Sequence, residues 1–225
     1  MQSLDDKLKN IRTQCRLAMN GVVSTSMREK GLIYKLNFGL TTQQIKDIAN
    51  QYDKDKELAE RLWLEDSTRE LRILATLLYP IDNFSADTAN RWAQEIPNQE
   101  IREQVCFNLL QELPYANQLA IEWSNDENIN LRITGYWLLA RLFLAKKIQS
   151  HLVVDYFNYI WQDIASEDIF LRNASLLALK HMGRQSKEEA DIIIEKLSTY
   201  NNSDDLLKAE AYNNVAFEFE FYFGR

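Results

Sequence analysis

The sequence predicts an all-α fold, an α-solenoid superhelix of stacked helical pairs, on three observations. A short pattern returns along the chain. Leu131-Arg132 heads LRITGYWLLARLFL with Gly135 three positions after the Arg, and Leu71-Arg72 heads LRILATLLYP with Ala75 in the same small position. Ile101-Arg102 and Leu171-Arg172 head two more copies, and a weaker one begins at Leu207-Lys208 with Ala211 as the small residue. The basic residues step by roughly 30, 30, 40 and 36 positions, the signature of an array whose units bury their apolar faces against their neighbours. Second, 6 Gly and 3 Pro in 225 residues leave little material for the turns of an all-β fold. Third, apolar residues recur at helical spacing, and the one strand-like alternation, FEFEFYF at 217–223, reads at the end of such an array as a last helix or tail.

The elements follow in order. Leu4, Leu8, Ile11, Cys15 and Met19 mark a helix over 5–20. Ser24 or Ser26 could cap a second one that Gly31 ends, and KLNFG at 35–39 is a short loop. Thr41 with Gln44 three residues on forms a capping box for a helix over 43–52. KELAERLWL gives an amphipathic helix at 56–64, and Ser67 or Thr68 caps 70–78, which Pro80 stops. Helices at 86–95, 100–110, 115–123 and 130–144 come next, parted by Pro97, Pro114 and the Ser124-Asn125-Asp126 turn. Residues 149–164 pair with 169–182, ended by Gly183, and 187–197 pairs with 205–219 across a polar loop. This makes ten to twelve helices. No Pro/Ser/Gly-rich linker interrupts them, so residues 1–225 are expected to form one right-handed superhelical domain with the Leu-Arg helices on its inner surface.

Composition narrows the function. A hydrophobic fraction of 46% excludes disorder, and no apolar run approaches the roughly 20 residues that span a bilayer. The N-terminal MQSLDDKLKNIR is not a secretory signal, which makes the cytoplasm the expected compartment. Cys15 and Cys106 have no metal spacing, and no phosphate-loop, zinc-protease or nucleophile-elbow motif occurs, so neither a metal nor a cofactor is expected. His151 and His181 lie on different units. The net charge of −7 argues against a generic nucleic-acid binder, yet the charge is uneven. Residues 1–56 carry 10 Lys/Arg against 6 Asp/Glu, and 128–184 carries 7 against 4. A basic face on an acidic body is therefore possible in this chain. The recurrent Arg72, Arg102, Arg132 and Arg172 have two readings: bridges to an acid of the neighbouring unit, or phosphate contacts on the inner surface. The five tryptophans, spread one to a unit, read as packing residues.

The order of RELRILATLL, RWAQEI, IREQVCFNLL, EWSNDENINLRITGYWLLARL and DIFLRNASLLALKHMG, with KLNFGLTTQQIKDIA before them, resembles the bacterial DNA alkylation repair proteins built of HEAT-like repeats. The resemblance covers roughly residues 28–185. It implies a duplex-DNA-binding protein and, in members with glycosylase activity, excision of cationic alkylated purines without base flipping. A carboxylate there stabilises the oxocarbenium-like sugar, and two tryptophans hold the cationic nucleotide. Carried over residue by residue, the carboxylate falls on Glu103, making it the candidate catalytic group. The two tryptophans fall on Gln99 and Leu177, and Glu100 adds a second acid beside the site. Both aromatic walls are thus replaced, and the expectation is DNA binding on a basic concave face with weak or lost glycosylase activity. Arg132, Arg172, Lys180 and Arg184 are the DNA-binding candidates, with Lys146-Lys147 extending a phosphate-positioning strip. The alternative is an interaction scaffold that holds a protein partner.

Overall fold

The computed structural model describes residues 3–148 and 156–224, in which thirteen α-helices and one isolated parallel bridge, Leu36 to Thr68, are found. The chain divides into two compact units, Met1–Ser85 and Ala86–Arg225.

The first unit holds α1 (Leu4–Leu17), α2 (Gly21–Glu29), α3 (Thr42–Ala49), α4 (Lys56–Trp63) and α5 (Arg69–Leu78). The capping box forms as expected, with Thr41 and Gln44 bonding reciprocally. The cap of α2 is Asn20 rather than Ser24 or Ser26. Ser24 lies inside that helix, buried, and its hydroxyl donates to the Asn37 carbonyl at 2.9 Å. This bond helps fasten KLNFG, which is more than a connector. The fully buried Glu70 carboxylate on α5 accepts from the backbone N–H groups of Phe38, Gly39 and Leu40 at 3.1, 3.0 and 3.3 Å. Arg69 adds a donor at 3.1 Å, and the charge-assisted bonds offset the cost of burying the carboxylate. Gly39 is required here: its φ is +73°, and a Cβ would stand 2.2 Å from the Asn20 carbonyl oxygen.

The second unit holds α6 (Ala86–Gln94), α7 (Gln99–Asn108), α8 (Ala116–Ser124), α9 (Ile129–Leu144), α10 (Ile160–Asp163), α11 (Ile169–Gly183), α12 (Lys187–Lys196) and α13 (Leu206–Phe223). Of the helix expected over 149–164, only Ile160–Asp163 is α-helical among the described residues. Residues 149–155, with His151, lie outside them. α11 ends at Gly183, and packing rather than a left-handed backbone calls for glycine there, because a Cβ would fall 2.1 Å from the Phe219 ring. FEFEFYF is helical to Phe223.

The repeat has a single register across both units. Thr68, Asn98, Asn128 and Asp168 are the N-caps of α5, α7, α9 and α11, and Arg72, Arg102, Arg132 and Arg172 each stand four residues after the cap. The small position serves close helix packing: a Cβ on Gly135 would lie 2.5 Å from the Ser124 backbone nitrogen on α8. The last copy is displaced by one residue. Asp205 caps α13, and Ala209 rather than Lys208 occupies the Arg position. Trp63, Trp92 and Trp123 fill the cores, as expected of packing residues, while Trp137 and Trp161 are half-buried. Cys15 and Cys106 are free and buried, and burial pushes both thiols up to about 12.

Candidate nucleic-acid interface

The residues singled out above lie in the second unit. Gln99 opens α7 and Glu103 stands one turn later, with the Gln99 amide donating to Glu103 Oε1 at 3.2 Å. Beneath them Arg102 is buried, donating to Gln99 Oε1 at 2.9 Å and to Thr134 Oγ1 at 3.2 Å. An amide therefore links guanidinium and carboxylate at a position where the resemblance implies an aromatic wall. Glu103 is exposed, whereas Gln99 and Glu100 on α7, and Leu177 on α11, are half-buried.

Two of the four candidate DNA contacts are committed elsewhere. Arg132 is 7% exposed, and all three of its guanidinium nitrogens are used, by Asp163 and by the carbonyls of Asp126 and Glu127. Arg172 repeats half of this, donating to the carbonyls of Ser166 and Glu167. Each clamps the turn before its own helix by holding two of its carbonyls. Of the two readings of the recurrent arginine, the structure places Arg132 in the bridge to the next unit's acid.

Lys180 and Arg184 do come together, at the end of α11. Both pair with Glu218 of α13, Lys180 at 3.6 Å and Arg184 Nε at 3.0 Å. Burial raises the Glu218 carboxyl, but the Arg184 hydrogen bond and the charges of Arg184 and Lys180 outweigh it and hold the group below its ordinary range. His181, half-buried beside them, is lowered by burial first and then by Arg184, which favours the uncharged imidazole. Lys147 turns away to Glu112 at 2.6 Å.

Lys146 has an unusual backbone. It follows α9 in the left-handed region, φ 55°, within a Schellman turn in which Lys147 N–H reaches the Leu142 carbonyl and Lys146 N–H the Phe143 carbonyl. Glycine suits that position, and any other residue costs roughly 1 kcal/mol there. Lys146, His181, Arg184 and Tyr222 line one cavity of about 710 Å³, together with Phe143 and Met182.

Three residues here escape a reading of the sequence. Phe107, 42% exposed, stands one turn beyond Glu103, so Gln99, Glu103 and Phe107 form one stripe at i, i+4 and i+8. Arg141 lies 4.8 Å over the Phe107 ring and holds Gln111 at 3.0–3.1 Å. Tyr222 sits under Arg184 at 5.3 Å. The helical stripe through Glu103 was a usable signal for Phe107. Nothing local marks Arg141 or Tyr222, because both depend on which helices meet.

Charge is polarised along the helices. Asp126, Glu127, Glu167, Asp168, Asp204 and Asp205 crowd the turns before α9, α11 and α13, while Arg141, Lys146, Lys180 and Arg184 occupy the ends of α9 and α11, the arrangement that complements the helix dipoles. Among the described residues no group of three or more His, Cys, Asp or Glu could hold a metal ion, and no helix is long and apolar enough to cross a membrane.

No curated protein matches the chain significantly. A solved structure of a protein described as belonging to a new family related to the HEAT-like repeat DNA glycosylases, with affinity for branched DNA structures, is similar in fold. The TM-score is 0.73 over 96% of this chain and 94% of that one, at 15% identity. The fold is thus an all-α one of the HEAT-like repeat type. A family model described as DNA alkylation repair enzyme matches residues 26–214, nearly the whole chain, and the protein belongs to that family.

Proposed function

We propose that the protein binds DNA through the cations at the ends of α9 and α11, with weak or no excision of alkylated bases. The observation that carries this reading is the gathering of Arg141, Lys146, Lys180 and Arg184 on two helix ends of a chain whose net charge is −7. Such a patch contacts phosphates without reading sequence. Duplex DNA is the basic ligand. Branched DNA joins it because the structurally similar protein is described as having affinity for it. The cytoplasm is the compartment this reading implies, and two buried free thiols suit its reducing conditions.

The weak chemistry follows from Glu103. A carboxylate stabilises a developing sugar cation most where water is excluded, and Glu103 is exposed and bonded to an amide. Neither Gln99 nor Leu177 offers the ring face that would hold a cationic purine.

Fluorescence anisotropy with duplex and branched DNA over a salt series tests the reading. Salt-sensitive binding is expected, weakening steeply as salt rises, and no binding at tens of micromolar (about 10⁻⁵ M, the middle of the usual non-specific range) would overturn it. The alternative, a scaffold for a protein partner, is favoured by the acidic turns before α9, α11 and α13 and by the solvent-facing Phe217 and Phe221 of α13. It predicts no DNA binding even at low salt.

A further inference from the structure

The cavity beside Lys146 is left unused by a protein that only tracks duplex phosphates. Its volume of about 710 Å³ falls within the range of small-ligand sites. Its lining is chemically mixed. Lys146 and Arg184 supply cations, His181 an imidazole ring, and Phe143, Met182 and Tyr222 apolar surface. Glu189 also lines it, so one carboxylate faces two cations. A bare phosphate would leave the aromatic and apolar part idle, and an apolar ligand would make no use of Lys146 or of the Arg184 guanidinium, which already shares Glu218. Lys146 sharpens the point, because it occupies a left-handed position that favours glycine and is one of the residues that line the cavity. Tyr222 is 52% exposed and carries Arg184 over its ring, and bases stack on both aromatic rings and guanidinium planes.

We propose that this cavity receives one unpaired nucleotide of a DNA strand, its phosphate held by Lys146 and Arg184 and its base stacked against Tyr222. The inference rests on the DNA-binding reading above and extends it: the cavity would be what favours a strand leaving a duplex over continuous duplex. Paired bases are stacked within the helix and cannot enter. A flap, gap or branch point exposes a base at no further unpairing cost.

The test compares a continuous duplex with the same duplex bearing a single-stranded flap, in the wild type, Lys146→Gly and Tyr222→Leu, at one salt concentration. Wild type should bind the flapped DNA about tenfold tighter, the effect of stacking one base. Tyr222→Leu should bring the preference to within about twofold and move continuous-duplex affinity by less than about threefold, since stacking adds nothing to phosphate contacts. Lys146→Gly should lose the preference too, while its thermal midpoint stays at or above that of the wild type, which removes unfolding as the explanation. Duplex binding with no flap preference in the wild type, or a preference that survives Tyr222→Leu, overturns the inference and leaves the DNA-binding reading standing. No binding of either DNA overturns both.

Discussion

Arg132 of α9 and Asp163 of α10 form a buried two-point ion pair, Nε to Oδ2 at 2.9 Å and Nη2 to Oδ1 at 3.4 Å. The Tyr136 hydroxyl donates to the same Oδ2 at 2.8 Å, and burial and the nearby Asp163 charge both push the Tyr136 phenol up. Removing one partner would leave the other charged and buried. Asp163→Ala should cost roughly 3–5 kcal/mol in urea unfolding. Arg132→Met should destabilise similarly, yet leave the salt slope of DNA binding unchanged in protein that remains folded. A lowered slope would restore Arg132 as a phosphate contact.

Glu218 links stability to pH and restrains two cations. Its carboxyl is held below its ordinary value of 4.5, so its contribution is fully present above that pH and is lost as pH falls through the lower folded value. Glu218→Gln should flatten the loss of thermal midpoint below pH 4.5. It should also release Lys180 and Arg184, tightening DNA binding at low salt by about threefold or more. An unchanged or weakened affinity would show that the pair with Glu218 does not compete with phosphate.

Three glycines give a graded series. Gly135→Ala drives a Cβ to 2.5 Å from the backbone of α8 and should destabilise most, by about 3 kcal/mol. Gly183→Ala meets only the Phe219 ring, which can shift with α13, and should cost about 1–2 kcal/mol. Gly21→Ala, at the start of α2 with nothing within 4 Å, should stabilise by about 0.5 kcal/mol. Thermal denaturation orders the three, and an equal loss at Gly135 and Gly183 would contradict the backbone contact.

Glu103 decides whether excision survives. Release of 7-methylguanine from methylated duplex DNA should stay at background. Any activity that is found should fall by about 10²-fold in Glu103→Gln, which keeps the size and removes the charge. Robust release that this variant leaves untouched would reject Glu103 as the catalytic group.

The sequence by itself determined the all-α class and most of the helices, though not the extent of α10, the cap of α2 or the one-residue displacement of the last copy. The N-caps four residues before Arg72, Arg102, Arg132 and Arg172 are local requirements set by backbone geometry, and a small residue stands three after Arg72, Arg132 and Arg172 but not after Arg102, where Val105 takes its place. They can be read without knowing the neighbours, as can the shared face of Gln99 and Glu103. The tertiary structure decided what each charge does. Arg132 and Arg184 are equal candidates in sequence, yet one is sealed against Asp163 and the other shares Glu218 while lining a cavity. The partner of the first lies 31 residues away and that of the second 34. The grouping of Arg141 with Phe107, and of Tyr222 with Arg184, likewise arises only when α7, α9, α11 and α13 meet. Helical periodicity is a property of neighbours along the chain, whereas the field at a side chain is set by whatever packs against it, and that is fixed only once the helices have stacked.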